Sequence, residues 1–165
     1  PDPAPSSFQS ARLALHHLLA ARLHLGHAPS RTHPSMRPFI SGSRNGAHII
    51  DLNATLPRLR RALRVVRSVV ARGGTVLWVK PRRGKVKEED LEGDVVEALA
   101  RACGCPVLRS RWVMGTLTNA VESGQGRRLG YVVPDLMVVF DVRGGRAAVR
   151  EARKVGLPVV GVVDT

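Results

Sequence analysis

The residues of this chain best suited to chemistry are cations held in shaped loops. Arg31, Arg37 and Arg44, with Asn45, lie in HAPSRTHPSMRPFISGSRNG, a stretch bent by Gly and Pro. Arg82, Arg83, Lys85 and Lys87 fill a second loop, KPRRGKVK. Arg109, Arg111 and Trp112 lead through RSRWVMGTLTN to Thr118 and Asn119. Arg and Lys neutralise phosphates, Thr and Asn reach phosphate or sugar, and a Trp stacks on an unpaired base. The chemistry is docking on a polyanion. Trp112 suits a core or lid position equally well.

The charge balance supports that reading. The formal net charge is +13 and the pI about 11.5, and a domain this basic commonly meets nucleic acid. Of 26 basic residues 22 are Arg, a bias that GC-rich coding would also produce. Coding bias does not explain where acids are missing: from Pro3 to Lys87 there are 16 Lys and Arg but one acid, Asp51.

Sets that would turn over a substrate are weak. Cys103 and Cys105 form one C-x-C with no second pair to complete a zinc site. Six His (16, 17, 24, 27, 33 and 48) lack metal-ligand spacing. Asp141 and Asp164 fall at or near strand ends without a His or Lys near them in sequence, so loop capping or pairing with an Arg is expected. Gly73-Gly74 precedes a strand, whereas a dinucleotide loop follows one. RGGRAA after LMVVFDV lacks G-x-G-x-x-G, and RRGK lacks the phosphate-loop pattern. The residues therefore single out no catalytic group and no metal site, and the favoured reading has no cofactor and no small-molecule substrate. No apolar run approaches the roughly 20 residues needed to span a membrane, and no membrane partner is expected.

The positioning elements read as an α/β chain. PDPAPSS is a disordered lead-in over 1–8, and 9–165 suits a single domain. A first helix is predicted over 9–25, with Leu15, Leu18, Leu19 and Leu23 near one face and Gly26 as its stop. A loop over 26–47 precedes the strand HIIDL, 48–52. Leu56, Leu59, Leu63, Val66 and Val70 then mark a helical stripe, with Thr55 as N-cap, Pro57 in the first turn and Gly73-Gly74 as terminator. TVLWVK, 75–80, is a buried strand. A helix follows over 89–103 with Leu91, Val95, Leu99 and Ala102 inward, then a short strand PVLR. Residues 110–131 are irregular. LMVVFDV, a helix over GRAAVREARKVG and a final buried strand PVVGVVDT complete the chain. Apolar strands alternating with amphipathic helices predict a parallel sheet covered on both faces.

Several blocks resemble the universal small-subunit ribosomal protein S2 family. They are LGH at 25–27, HPSMRPFISGSRNGAHIIDL, the Thr55–Pro57 helix start, ARGGTVLWVK, RSRWVMGTLTN, PDLMVVFDV and EARKVGLPVVGVVDT. The resemblance covers 23–165 in the expected order. It implies a Rossmann-like (flavodoxin-like) fold, no enzymatic activity, and a place between head and body of the small subunit, against rRNA and neighbouring ribosomal proteins. Bacterial members insert a long helical hairpin after GTLTN. Here only AVESGQGRRLGYVVP separates that segment from PDL. The short connection is similar to mitochondrial members, which implies a mitochondrial small subunit and a matrix location. The family continues beyond Asp164-Thr165, so the resemblance also implies that its carboxyl-terminal part is absent. From the residues alone, a nucleotide- or phosphate-binding enzyme and a free RNA-binding regulator stay open.

Overall fold

The computed structural model describes residues 15–80, 91–130 and 133–165. The chain falls into two compact units. One is Pro1–Leu63 with Asp164–Thr165, the other Arg64–Val163.

In the first unit, helix α1 (Leu15–Ala20) ends well before Gly26. Arg22 takes a left-handed φ of 56° and the Leu23 N–H returns to Leu18 O, which closes the helix end. Of the expected apolar face only Leu18 is buried; Leu15, Leu19 and Leu23 are exposed. Two short 3-10 turns, Pro29–Arg31 and Pro34–Phe39, lead into strand β1 (Ile40–Arg44). The expected loop is therefore half of a hairpin, because β1 pairs antiparallel with β2 (Ala47–Ile50). The cause is the Asn45-Gly46 pair, at φ 50° and 75°. Two positive-φ residues make the two-residue turn whose twist suits a hairpin, and Gly46 enters that region without strain. The predicted strand over 48–52 thus belongs to this hairpin and not to the parallel sheet. Residues 24–27 run along β2, with Gly26 N donating to His48 O and Ile50 N to His24 O.

Helix α2 (Leu52–Ala71) starts in the first unit and ends in the second. Its N-cap is Asp51 and not Thr55: Asp51 Oδ1 accepts from Asn53 N at 2.9 Å. Thr55 lies in the first turn, bonded back to Asp51 O, and Pro57 lies inside the helix. Gly73, at φ 76°, terminates it as the sequence suggests.

The second unit holds four parallel strands: β3 (Val76–Val79), β4 (Val107–Leu108), β5 (Leu136–Val139) and β6 (Val159–Gly161). Their order is β4-β3-β5-β6, so the chain steps out to one side of β3 and then to the other. A short helix, α4 (Gly124–Arg128), interrupts the stretch 110–131 that the sequence suggests is irregular. Alternation along the strands makes two cores. Leu77, Val79, Leu108, Met137 and Val139 face Ala148 and Ala152 of helix α5 (Arg146–Lys154). Val76, Trp78, Leu136 and Val138 face Val96 and Ala100 of helix α3 (Leu91–Ala102), with Val66, Val69 and Val70 from the end of α2. The α/β parallel sheet with helices on both faces is thus present. Two details differ. Among the described side chains of α3 the buried ones are Val96 and Ala100, while Leu99, 47% exposed, and Ala102 face outward; Leu91 and Val95 lie outside the described side chains. Strand β6 is an edge and only half-buried.

Candidate nucleic-acid interface

The candidate residues fall into two groups, one in each unit. The loop bearing Arg82, Arg83, Lys85 and Lys87 lies outside the described residues.

In the first unit, Arg31 ends the first 3-10 turn, Arg37 sits in the second, and Arg44 and Asn45 form the hairpin tip. All four are exposed. Met36, Phe39 and Ile40, half-buried, give this basic segment an apolar base, and Arg58 stacks over Phe39 with 4.5 Å to the ring centre. Pro29, Thr32, Pro34, Arg37, Ile40 and His48 line an open cleft of about 340 Å³. The two described carboxylates of this unit are engaged elsewhere. Asp51 caps α2, and Asp164 meets His27 Nδ1 at 2.9 Å. Asp164 also accepts from Thr165 N at 2.7 Å, so it combines a local backbone bond with a histidine partner, where loop capping or an Arg partner was expected. Among the described residues, none of Arg31, Arg37 and Arg44 forms an ion pair.

In the second unit the segment 109–119 is more internally committed than its composition suggests. Arg109 is not an open cation. Its side chain is 15% exposed and its Nη1 lies 2.8 Å from Glu97 Oε1 on α3. Trp112 is not a stacking surface either. It is 5% exposed, packed in the core beside Leu108 and Val139, and its Nε1 donates to Glu151 Oε2 at 2.8 Å. A large apolar ring with one donor is buried most favourably where that donor finds an acceptor. Thr118 N and Oγ1 both donate to Glu151 Oε1, at 2.9 and 3.0 Å. Asn119 is exposed and donates to Glu122 Oε2 at 2.6 Å. Arg111 is exposed, with its carbonyl accepting from Gln125 Nε2. Arg111 and Asn119 therefore remain outward-facing, while Arg109, Trp112 and the Thr118 hydroxyl proton are held internally. Asp141 caps the turn into α5, accepting from Gly144 N at 3.1 Å, in line with its expected role.

Glu151 and Gln125 escaped the sequence reading. Glu151 carried a signal: it sits three residues after Ala148 and next to Ala152, so a carboxylate interrupts the buried stripe of α5. Burial pushes its pKa up. Hydrogen bonds from Thr118 N, Trp112 Nε1, Leu117 N and Thr118 Oγ1 outweigh that and hold the carboxyl below its ordinary 4.5. The sign follows directly. A carboxyl with a depressed folded-state pKa contributes stability above its unfolded pKa and loses it as pH falls through the folded value. Melting temperatures recorded from pH 7 to pH 3 are therefore expected to fall below about pH 4.5 more steeply in the wild type than in Glu151→Gln. Parallel curves would mean that this carboxylate is not held ionised. Among the described residues no His/Cys/Asp/Glu group could hold a metal, and no helix is long and apolar enough to cross a membrane.

Comparison with known proteins decides the family. The ribosomal protein S2 profile matches residues 18–129 and 121–165. The chain belongs to the ribosomal protein S2 family. Among relatives, the small ribosomal subunit protein uS2m of Schizosaccharomyces pombe is 38% identical, over 99% of this chain and 65% of its own length. The uS2 proteins of Ruegeria pomeroyi and Dinoroseobacter shibae are 36% and 38% identical, over 92% and 90% of this chain and 72% and 70% of their own lengths. The chain thus spans about two thirds of these S2 relatives. The alignment with the Ruegeria protein runs over 191 positions against the chain's 165 residues, so that relative carries residues this chain lacks. The two stretches of S2 match meet at 121–129, within the connection expected to be short. The α/β sheet described above accords with the fold expected of this family.

Proposed function

We propose that this chain is a structural, non-catalytic constituent of a small ribosomal subunit that docks on small-subunit rRNA and neighbouring ribosomal proteins, in the mitochondrion. Membership of a ribosomal protein family supports the structural role. The observation that carries the docking mode is the first-unit hairpin. Arg31, Arg37 and Arg44 are exposed around an ordered, Gly- and Pro-shaped segment, and among the described residues none meets a carboxylate. Phosphate is the natural counter-charge for cations so placed. Arg111 and Asn119 add a second outward group, and the Arg82, Arg83, Lys85 and Lys87 loop a third stretch of positive charge. The mitochondrial placement draws on the fission-yeast relative and the short connection after Asn119.

Sedimentation of a tagged chain from fractionated cells tests this reading. The expected result is co-migration with the mitochondrial small subunit, and a marked loss of incorporation for Arg44→Glu with an unchanged melting temperature. A chain that stays at the top of the gradient overturns the ribosomal reading. Recovery in another compartment overturns the placement alone, and normal incorporation of Arg44→Glu removes the hairpin from the interface.

A further inference from the structure

A buried carboxylate in an otherwise aliphatic core needs a reason. Glu151 is wholly buried on the inner face of α5. An apolar core could be built without it: replacing a buried charge together with its partners by apolar groups is often neutral or stabilising, whereas removing the carboxylate alone would strand its donors. All four of its donors come from one stretch: Trp112 Nε1, Leu117 N, Thr118 N and Thr118 Oγ1, at 2.8 to 3.0 Å.

A second buried side chain grips the same stretch. Gln125 is 7% exposed. Its Oε1 accepts from Val113 N and lies 2.9 Å from Thr116 Oγ1. Its Nε2 donates to Ser110 Oγ at 3.0 Å and to Arg111 O at 2.6 Å. Residues 110–118 contain no helix or strand. An irregular segment of that length ordinarily gives its polar groups to water and moves. Here two side chains satisfy Arg111 O and the amides of Val113, Leu117 and Thr118, and the Trp112 ring is driven into the core between them. The residues flanking that anchor stay outside: Arg111 and Asn119 are exposed.

We infer that Glu151 and Gln125 are positioning residues, which hold the 110–118 segment rigid so that Arg111 and Asn119 meet an RNA backbone without first being ordered. This rests on the rRNA-docking reading. Neither residue touches RNA; each acts through the segment it holds, and a contact made by a preformed loop is stronger than the same contact made by one that must be frozen on binding.

The test is a double-mutant cycle on the full chain, with in vitro transcribed small-subunit rRNA as the probe. Dissociation constants are measured for the wild type, Glu151→Gln, Arg111→Glu and the pair, at several salt concentrations. Glu151→Gln is expected to weaken binding about fivefold and leave the salt slope unchanged, because no exposed charge is lost. Arg111→Glu is expected to weaken binding and flatten the slope by about one. The pair should bind less weakly than the two single losses multiplied together would give, because Arg111→Glu has already removed part of what Glu151 positions. Where Glu151→Gln does not fold, Thr118→Val takes its place in the cycle; it removes one donor, keeps the carboxylate, and is expected to weaken binding about twofold. Wild-type affinity in whichever of Glu151→Gln and Thr118→Val enters the cycle, or losses that multiply with Arg111→Glu, overturns the inference while the docking reading stands. An unaffected Arg111→Glu overturns the inference together with the docking role of this segment. A wild-type chain that fails to bind the rRNA overturns the docking reading itself.

Discussion

Replacing Trp112 with alanine is expected to lower the unfolding free energy by about 3–5 kcal/mol, the range for deleting a buried aromatic ring. The ring packs beside Leu108 and Val139, and its Nε1 is one of the four donors to Glu151. Alanine would leave both a cavity and a buried carboxylate oxygen short of its donor, and the second defect alone costs about 1–3 kcal/mol. A domain's whole stability is about 5–15 kcal/mol, so the variant should lie close to unfolding at physiological temperature. Trp112→Phe separates the two defects. It keeps most of the packing and loses the N–H, so a drop of about 1–3 kcal/mol is expected. Urea titration followed by fluorescence measures both, because Trp78 remains as reporter: the chain has two Trp and the other lies in the second core cluster. An unchanged midpoint for Trp112→Ala would return Trp112 to the surface and restore its candidacy for base stacking.

The second large effect is on binding. Affinity for small-subunit rRNA is expected to fall by about two to four orders of magnitude between 50 and 200 mM monovalent salt, because each phosphate neutralised by a cation releases counterions. The net charge of +13 and the exposed Arg31, Arg37 and Arg44, which form no ion pair among the described residues, are the grounds. Reversing Arg82, Arg83 and Lys85 to Glu together should reduce the log–log slope by up to about three, roughly one for each phosphate contact removed. Filter binding across a salt series measures both quantities. A flat wild-type dependence would show that charge neutralisation is not how the chain engages RNA. An unchanged slope in the triple variant would place that loop away from the phosphates.

The parallel sheet was legible because its strands are continuous aliphatic runs. TVLWVK and LMVVFDV bury every residue of β3 and β5, and their short length and β-branched content favour buried strands over helices. The hairpin was missed although its signal was in the opening blocks: Asn45-Gly46 is a strong short-range mark of a two-residue turn. ISGSR hid it, since β1 is mostly exposed and lacks the apolar alternation by which strands are found. The start of α2 was misread because Thr55 and Pro57 resemble a helix start. Asp51, four residues earlier, captures the first amides instead. Among the candidate residues, Arg37, Arg44 and Asn45 are exposed, as residues expected to meet rRNA need to be. Arg109 and Trp112 were not separable from them by type or spacing. What turned them inward is Glu97 and Glu151, acids supplied by helices distant in sequence or facing another way. Pairing across elements leaves no periodic trace in a single sequence.

The strand lengths in the parallel sheet bear on how the chain behaves before it meets any partner. Its two outer strands are stubs, two residues in β4 and three in β6. The outer rim of a sheet is a row of unsatisfied amides and carbonyls able to recruit a foreign strand, and the recruitment lengthens with the rim. Rims this short give an incoming strand too few bonds to register against. The longer β1 of the hairpin has its own deterrents, an irregular step between Ile40 and Gly42 and a cation, Arg44, at its end. Among the described strands, the edges that copies of the chain could offer one another are ill-suited to fibril growth.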